Sequence, residues 1–336
     1  AIESFNLKKN DTVVMPAINF VAAYNICNKI GVKIFLADVD PITGQMTEKT
    51  FNECVINYKL KKVKLIITMY LGGYPGEIQK FYKIKKKYNS FLLEDACHAL
   101  GAKYKIKNEI YNIGSCKHSD ICVFSLHPLK TITSGEGGIV ATNNKRLYET
   151  INRLRSHGIV RDKKFHWKYD VIDSGFNYRL SDINCALAIS QLNKINKFVK
   201  KRSIIFNSYK KFFYKNENFF YMNNVNNKNL PAYHLFIVSL KDNVLKCGKN
   251  KLFTYMLKNK IFVQYHYIPI YNFKIYNKKV NKKFYSGAEY FYKRSFSLPI
   301  FYKLNNNQIN HILTMLVNFV KKNSVEKNTL SKKISA

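Results

Sequence analysis

The sequence lacks the two kinds of segment that would direct a chain to a membrane. It has no uncharged apolar run of about eighteen residues and no basic stretch followed by an apolar one near its start. A membrane span needs the first feature and a secretory signal needs the second. We therefore expect a cytoplasmic protein without a membrane partner.

Closely spaced cysteine pairs are also lacking. The sequence has 7 cysteines, an odd number, and none forms a Cys-x-x-Cys pair. Disulfide frameworks and thiolate metal sites depend on such pairing, so we expect reduced thiols in the core. No other set of His, Cys, Asp and Glu residues has the spacing of metal ligands, and we predict no metal.

Acidic residues are few, with 21 Asp and Glu against 56 Lys and Arg, which gives a net charge of +35. Such an excess can mark a nucleic-acid binder. The lysines are scattered along the chain, however, and no RNP, helix-turn-helix or zinc-finger pattern is present. We interpret the charge as a composition bias and expect no nucleic-acid partner. Nucleic-acid binding stays an alternative that rests on charge alone.

Short apolar runs rich in β-branched residues alternate with longer segments of helical period. This alternation predicts an α/β fold with a mostly parallel sheet that is covered on both faces. At 336 residues and 46% hydrophobic content, the chain can form a large domain and a smaller one. The predicted strands are 12–15, 33–37, 64–68, 91–94, 121–125 and 139–142, and the predicted helices are 20–30, 47–58 and 78–88.

The second half of the chain has a different pattern. We predict a large domain over residues 1–180, a connecting helix over 181–215 and a small α+β domain over 216–322. The last residues, 323–336, are polar and rich in lysine, and we predict that they are disordered. In the small domain the predicted elements are a strand at 234–240, a helix at 251–258 and a strand at 261–266.

Lys130 is the first candidate for chemistry. It follows the predicted strand 121–125 in a polar turn rich in glycine, at the carboxyl end where open α/β sheets bind ligands. Partial burial lowers the pKa of a lysine and exposes a reactive amine. Lys130 alone would be interpreted as one of many surface lysines, but the nearby Asp95, Ser125 and His127 favour a functional role.

Asp95 is the second candidate, at the end of the predicted strand 91–94. A carboxylate there could keep a pyridine ring protonated, as pyridoxal phosphate requires, although an aspartate at a strand end is also a common helix cap. The glycines of residues 135–138 do not complete a G-x-G-x-x-G pattern, and no Walker A sequence is present. A dinucleotide or P-loop site is therefore not predicted.

These segments resemble the DegT/DnrJ/StrS sugar aminotransferases, which are fold-type-I enzymes that depend on pyridoxal 5'-phosphate. The resemblance runs from about residue 11 to residue 316 with the motifs in the family's order. It implies a PLP cofactor, an amino-acid donor, usually glutamate, and a nucleotide sugar as acceptor. Within the family, the residues of these motifs most resemble those of members that aminate C4 of a 4-keto-6-deoxy UDP-amino sugar in pseudaminic acid synthesis.

The resemblance also assigns roles within the cofactor site. Lys130 matches the lysine that holds the cofactor covalently, and Asp95 matches the partner of the pyridine nitrogen. His98 takes the position beside the ring, and Ser125 matches the residue that binds the phosphate. Phe20 matches the aromatic residue that stacks on the cofactor, although it could also be an ordinary core phenylalanine.

Three further residues are assigned outside this group. Asn177 matches an asparagine that reaches the cofactor phosphate of the partner subunit, which implies a homodimer with shared sites. His234 and His266 lie in segments that resemble those approaching the nucleotide sugar. From the residues alone, Asn177 lies in a polar turn before a helix, and lone histidines are usually structural.

One departure from the family concerns its N-terminal Ser-Gly/Ala-Thr turn, which binds the cofactor phosphate at a helix N-terminus. This turn precedes the segment matching Asp11 in family members and is not found in the sequence. We therefore expect weaker cofactor binding. A catalytically impaired homologue that acts as a scaffold stays an alternative. Some relatives with histidine at the lysine position are sugar dehydratases, a reaction that Lys130 argues against.

Overall fold

The computed structural model describes residues 1–222, 229–242, 244–276 and 279–324. The strands are β1 (Thr12–Pro16), β2 (Lys33–Ala37), β3 (Leu65–Met69), β4 (Phe91–Asp95), β5 (Lys103–Ile106), β6 (Glu109–Asn112), β7 (Ile121–Ser125), β8 (Gly138–Ala141), β9 (Ile159–Arg161), β10 (Tyr169–Val171), β11 (Phe220–Met222), β12 (Phe236–Leu240) and β13 (Ser295–Leu298). The helices are α1 (Ala22–Ile30), α2 (Glu48–Asn57), α3 (Ile78–Tyr88), α4 (Lys145–Arg155), α5 (Asp182–Leu192), α6 (Ile195–Lys215), α7 (Lys249–Lys258), α8 (Ser286–Arg294) and α9 (Asn306–Asn323).

The main sheet confirms the predicted α/β fold. It has six strands in the order β2-β1-β3-β4-β7-β8, and only β8 runs antiparallel to its neighbour. Successive residues of a strand point to opposite faces. Accordingly Val13 and Met15 belong to one core cluster, whereas Val14 belongs to another. The sheet is thus buried on both faces, which explains its nearly continuous apolar strands.

A second, antiparallel sheet has the order β11-β12-β13. It packs in a separate core with α6, α7 and α9, to which Phe213, Phe236, Met256 and Leu316 contribute. Residues 181–215 form the two helices α5 and α6 instead of one continuous helix. At the chain's end, disorder was predicted for residues 323–336, but the first two of these are ordered, because α9 ends at Asn323 and Ser324 is buried. Residues 325–336 lie outside the described residues.

The predicted strand 261–266 is wrong. Only Gln264 pairs there, in an isolated bridge with Ser297. Ile261 and Val263 are buried and alternate with exposed Phe262, which produces the strand-like pattern. The pattern therefore reports the burial of alternate side chains, whereas a strand also requires continuous backbone pairing.

Two expectations that came from the composition can be compared with the structure. All 7 cysteines are free thiols, and Cys27, Cys54, Cys116 and Cys122 are buried, as expected for reduced core cysteines. In the described part of the chain, no helix combines the length and the apolar character that a membrane crossing requires.

A buried carboxylate links β2 to α8, two elements that are far apart in the sequence. Asp38 directly follows β2 and accepts hydrogen bonds from the backbone N–H groups of Gly287 (2.8 Å) and Ala288 (2.7 Å). These groups belong to the first turn of α8, where a negative charge is favourable. The approach is so close that a Cβ atom on Gly287 would lie 1.9 Å from the carbonyl oxygen of Val39.

This contact predicts that Gly287→Ala destabilises the protein by about 2 kcal/mol or more, because the backbone of β2 and α8 would have to separate. Gly248→Ala is the control, since an added Cβ meets nothing within 4 Å there. We expect the control to cost about 1 kcal/mol or less. Urea unfolding followed by circular dichroism measures both, and equal losses would contradict the proposed contact.

Candidate active site

The site forms where two neighbouring strands of the main sheet end. β4 and β7 are parallel and paired, with Asp95 opposite Val123. The residues that follow them therefore leave the sheet at the same edge, which is where α/β folds bind ligands. A cavity of about 1160 Å³ adjoins this edge and is lined by Lys130, Arg202, His234 and His266 among others.

Lys130 lies half-buried in the turn after β7. Its backbone N–H donates to the carbonyl oxygen of His127 at 2.9 Å, which fixes the turn. Burial lowers the pKa of the Lys130 amine, while the nearby Cys97 and Asp95 act in the opposite direction. A lowered pKa increases the fraction of unprotonated, nucleophilic amine at neutral pH.

Asp95 is a desolvated carboxylate without a cationic partner. Its Oδ1 atom accepts a hydrogen bond from the backbone N–H of Cys97 at 3.1 Å, and no ion pair involves it in the described ranges. Desolvation raises the pKa of Asp95, opposed by hydrogen bonds from Cys97 and by the charge of Lys130. Because an unpaired carboxylate is costly away from water, this position fits a cationic group on a ligand.

Three histidines form one cluster beside this pair. The rings of His98 and His234 lie 4.3 Å apart between centroids, and His266 lies 6.2 Å from His98. Burial is the main cause that lowers the pKa of all three, to about 4 for His266. They are therefore neutral at pH 7. Nδ1 of His234 is buried without a hydrogen-bond partner in the described structure.

Two other predicted residues lie at the margin of the site. Phe20 is 55% exposed, which is unusual for a large apolar ring, and its centroid is 5.8 Å from that of Tyr267. Its exposed ring is free to stack on a flat ligand. Ser125 is the last residue of β7, and its Oγ accepts a hydrogen bond from the backbone N–H of His127 at 3.3 Å.

Asn177 contacts two other residues of its own chain. Its backbone forms an isolated bridge with Ser156, and its Oδ1 accepts a hydrogen bond from the backbone N–H of Arg179 at 3.4 Å. The residue is exposed. Neither of these contacts involves Lys130 or Asp95.

Two side chains at the site were not selected from the sequence. Cys97 contacts Asp95, and the hydroxyl of Tyr267 lies 3.0 Å from Nε2 of His98. Both residues lie inside segments that resemble the family, directly beside His98 and His266 respectively. Their position next to two candidate histidines could have marked them as candidates too. Which side chains they contact, however, depends on how segments that are distant in the sequence pack together, and only the structure shows this.

Comparison with known proteins identifies the family. Residues 1–317 match the DegT/DnrJ/EryC1/StrS aminotransferase family. The chain belongs to this family. A Campylobacter jejuni (strain 81-176) protein named UDP-4-amino-4,6-dideoxy-N-acetyl-beta-L-altrosamine transaminase is 35% identical over 314 residues, which cover 94% of this chain and 80% of that protein. A Helicobacter pylori protein of the same name is 30% identical, and the match covers 92% of this chain and 78% of that protein.

Solved structures agree with this assignment. Helicobacter pylori PseC, described as an aminotransferase involved in the biosynthesis of pseudoaminic acid, has a TM-score of 0.82 and 28% identity, covering 94% of this chain and 81% of its own. The PLP-form of the putative sugar aminotransferase Spr1654 from Streptococcus pneumoniae has a TM-score of 0.84 at 21% identity. The match covers 96% of this chain and 83% of that one, and it supports the fold.

The family confirms three predictions about this DegT-family protein. It has the fold of the fold-type-I PLP enzymes, it is a sugar aminotransferase, and its cofactor is pyridoxal phosphate. The site fits that cofactor on chemical grounds. A desolvated carboxylate without a cation, a lysine of lowered pKa and an exposed aromatic ring lie together at the edge of the sheet.

The close packing around His98 predicts that Gly73→Ala weakens PLP binding, whereas a matched glycine substitution elsewhere does not. Gly73 has φ +86°, and an added Cβ would lie 2.5 Å from the carbonyl oxygen of His98. Gly31→Ala is the control, because φ is similar (+83°) but the nearest atom, on Lys9, is 3.8 Å away. Both variants should lose about 1–2 kcal/mol of stability from the left-handed backbone.

Only Gly73→Ala should displace His98, which the sequence predicts to lie beside the cofactor ring, so only this variant should weaken PLP binding, by about tenfold or more. Titration with PLP followed by absorbance measures the affinity, and urea unfolding measures the stability. An unchanged affinity in Gly73→Ala would show that the position of His98 does not matter for the cofactor.

Proposed function

We propose that this protein transfers the amino group of an amino acid, with glutamate as the donor, to C4 of a 4-keto-6-deoxy UDP-amino sugar in pseudaminic acid synthesis. The observation that carries the proposal is the desolvated pair of Lys130 and Asp95 beside a cavity of about 1160 Å³. This cavity is large enough for a nucleotide sugar. The 35% identity to a transaminase named for a UDP-linked 4-amino sugar supports the choice of substrate.

In this proposal five residues hold pyridoxal phosphate. Lys130 binds it covalently through Nζ, Asp95 pairs with its ring nitrogen, and Ser125 binds its phosphate. His98 lies beside the ring, and Phe20 stacks on its face. When bound, the cofactor supplies the electron sink that stabilises negative charge on the carbon from which a proton is removed.

Lys130 and Asp95 act on two different protons of the reaction. Burial lowers the pKa of the Lys130 amine, so its Nζ would be able to hold and pass on a proton beside the bound cofactor. The Asp95 carboxylate favours the protonated ring nitrogen by its charge. Loss of this charge would weaken the electron sink and slow the removal of the proton.

His234 and His266 contact the nucleotide sugar in this proposal. Both line the cavity together with Lys130. They are neutral because burial lowers their pKa, so they can recognise hydroxyl and carbonyl groups without a charge. The unpartnered Nδ1 of His234 supplies a specific hydrogen-bonding position. Binding of a polar sugar there would satisfy an atom that the protein leaves unpaired.

The working unit is proposed to be a homodimer in which Asn177 completes the site of the partner subunit. The support comes from the exposed position of Asn177 and from the apolar side chains around it. Phe176, Tyr178, Ile183 and Leu187 are all exposed, with Ile183 at 84%. Exposed apolar residues of this kind, close together in sequence, are typical of a surface that a second subunit covers.

The proposed reaction predicts two spectral changes in protein loaded with PLP. L-glutamate should remove the visible absorption band of the lysine-bound cofactor, and a UDP-linked 4-keto-6-deoxy amino sugar should restore it. Lys130→Arg should show neither change, whereas Lys145→Arg, at an exposed lysine of α4, should behave like the natural protein. Stopped-flow absorbance measures both half-reactions.

A GDP-linked 4-keto-6-deoxy sugar is the control for the nucleotide, because a 28% identical relative is named GDP-perosamine synthase. We expect it to restore the band at least about a hundredfold more slowly, since the cavity's polar groups would be left unpaired. An equal rate with the two nucleotides would contradict the proposed substrate. Failure of L-glutamate to change the band would contradict the proposed donor.

Shared sites predict complementation between two inactive variants. Asn177→Ala and Lys130→Arg should each be nearly inactive alone, and Asn207→Ala, at an exposed asparagine of α6, should be fully active. When the two inactive chains are mixed, half of the dimers carry one intact site, so about a quarter of the normal activity should return. No recovery in mixed dimers, or an active monomer in sedimentation, would exclude the shared site.

A further inference from the structure

A half-buried lysine beside the second sheet carries an ammonium group outside the site described so far. Lys249 is the first residue of α7, and its Nζ donates hydrogen bonds to the backbone carbonyl oxygens of Tyr292 and of Ser295, the latter at 2.7 Å. Tyr292 lies in the last turn of α8, and Ser295 directly follows this helix. The last carbonyl groups of a helix have no partner within it and carry partial negative charge, so this position favours a cation.

Aromatic rings surround the same ammonium group. The Nζ atom of Lys249 lies 4.3 Å from the ring centroid of Tyr265, 5.3 Å from that of Tyr292 and 5.9 Å from that of Phe253. The Tyr265 ring itself lies 4.5 Å from the Phe253 ring and 5.3 Å from the Tyr292 ring, between centroids. Because the faces of aromatic rings attract cations, the ammonium group holds Tyr265 against α7 and α8. We call Lys249, with its two carbonyl acceptors and three rings, the clamp.

The Lys249 cation has no carboxylate partner within residues 1–222, 229–242, 244–276 and 279–324. Burial lowers the pKa of its amine to about 7. An unpaired cation that is shielded from water is costly, and an apolar side chain of similar length would avoid this cost. Stability alone therefore does not explain a lysine here, and the segments that it joins indicate a second role.

Two segments that the clamp joins lead to His266. Tyr265 directly precedes His266 in the sequence. Ser295 belongs to β13 together with Ser297, whose Oγ lies 2.8 Å from Nδ1 of His266. Ser297 also pairs with Gln264, since each backbone N–H donates to the other's carbonyl oxygen, at 2.9 Å and 3.3 Å. His266, which lines the cavity, is therefore held by two segments that meet at the clamp.

We propose that Lys249 is a positioning residue for the nucleotide sugar: its ammonium group fixes Tyr265 and β13, and these two segments keep His266 in its place in the cavity. This inference rests on the proposed function, in which His266 contacts the nucleotide sugar. In the part of the chain that the structure describes, Lys249 itself does not line the cavity. Its loss should therefore weaken binding of the nucleotide sugar and leave the reaction with the amino donor unchanged.

Replacement of the lysine by an uncharged side chain of similar length tests this role. In PLP-loaded protein, stopped-flow absorbance measures the half-saturating concentrations of L-glutamate and of a UDP-linked 4-keto-6-deoxy amino sugar separately. Lys249→Met should raise the value for the sugar by about tenfold, as expected for one weakened hydrogen bond, and change that for L-glutamate by about twofold or less. Lys251→Met, at an exposed lysine of the same helix, should change neither. An unchanged value for the sugar in Lys249→Met, or an equal rise for both substrates, would overturn the inference.

The aromatic part of the clamp gives a second test, which does not require that Lys249→Met folds. Tyr265→Leu removes the ring nearest to Nζ, whereas Tyr265→Phe keeps the ring and loses only the hydroxyl, which donates to Oδ1 of Asn250 at 2.7 Å. We expect the half-saturating concentration of the sugar to rise about tenfold in Tyr265→Leu and about threefold or less in Tyr265→Phe. Equal values in the two variants would show that Lys249 does not act through this ring.

Coupling between Lys249 and His266 distinguishes positioning from a general structural effect. His266→Ala should itself raise the half-saturating concentration of the sugar, and adding Lys249→Met should raise it no further, because residues that act through one another are not additive. In protein without cofactor, nitrogen-15 NMR should show that the ring signals of His266, assigned by their loss in His266→Ala, shift in Lys249→Met and stay in place in Lys251→Met. Independent effects in the double variant, or unshifted signals in Lys249→Met, would contradict the proposal.

The two proposals fail in distinguishable ways. If the UDP-linked sugar does not restore the visible band in the unaltered protein, the proposed function fails. If it restores the band with the same half-saturating concentration in the unaltered protein and in Lys249→Met, only the role of Lys249 fails.

Discussion

The parallel pairing of β4 with β7 is the constraint on which the site depends. It places Asp95 opposite Val123, so that the carboxylate at the end of one strand and the turn after the other share one edge of the sheet. Lys130 lies in that turn because the chain must reverse there to form β8 antiparallel to β7. The apolar residues of both strands hold them in place, because they pack into core clusters on both faces of the sheet.

Desolvation is the common cause of the electrostatics at this edge. Burial is the largest influence on the pKa of Lys130, Asp95, His98 and His234. It opposes charge on each of them, which yields neutral histidines and an amine that loses its proton more easily. For Asp95, burial raises the pKa of the carboxyl, although Lys130 and the hydrogen bonds from Cys97 oppose this by favouring its charged form. A cationic ring nitrogen would add the partner that the carboxylate does not have within the described protein.

The sequence predicted those parts of the structure that depend on local pattern. The buried strands of the main sheet were visible as apolar runs, and the rule that ligands bind at strand ends correctly placed Asp95 near Lys130. The hairpin of β5 and β6 was not predicted, because each of its strands has only 4 residues and β6 does not alternate polar and apolar residues. The break between α5 and α6 was missed because apolar residues continue at helical spacing through it. The contact between His98 and Tyr267 joins residues 169 positions apart, which no local pattern can show.

The central claim is that Lys130, and no other lysine of this lysine-rich chain, is the residue that binds pyridoxal phosphate. Borohydride reduction of PLP-loaded protein, followed by peptide mass mapping, tests it most directly, with Lys130→Arg as the control. The account predicts a single stoichiometric adduct at Lys130 that disappears in the variant. An adduct on another lysine, or the same extent of labelling in Lys130→Arg, would contradict it.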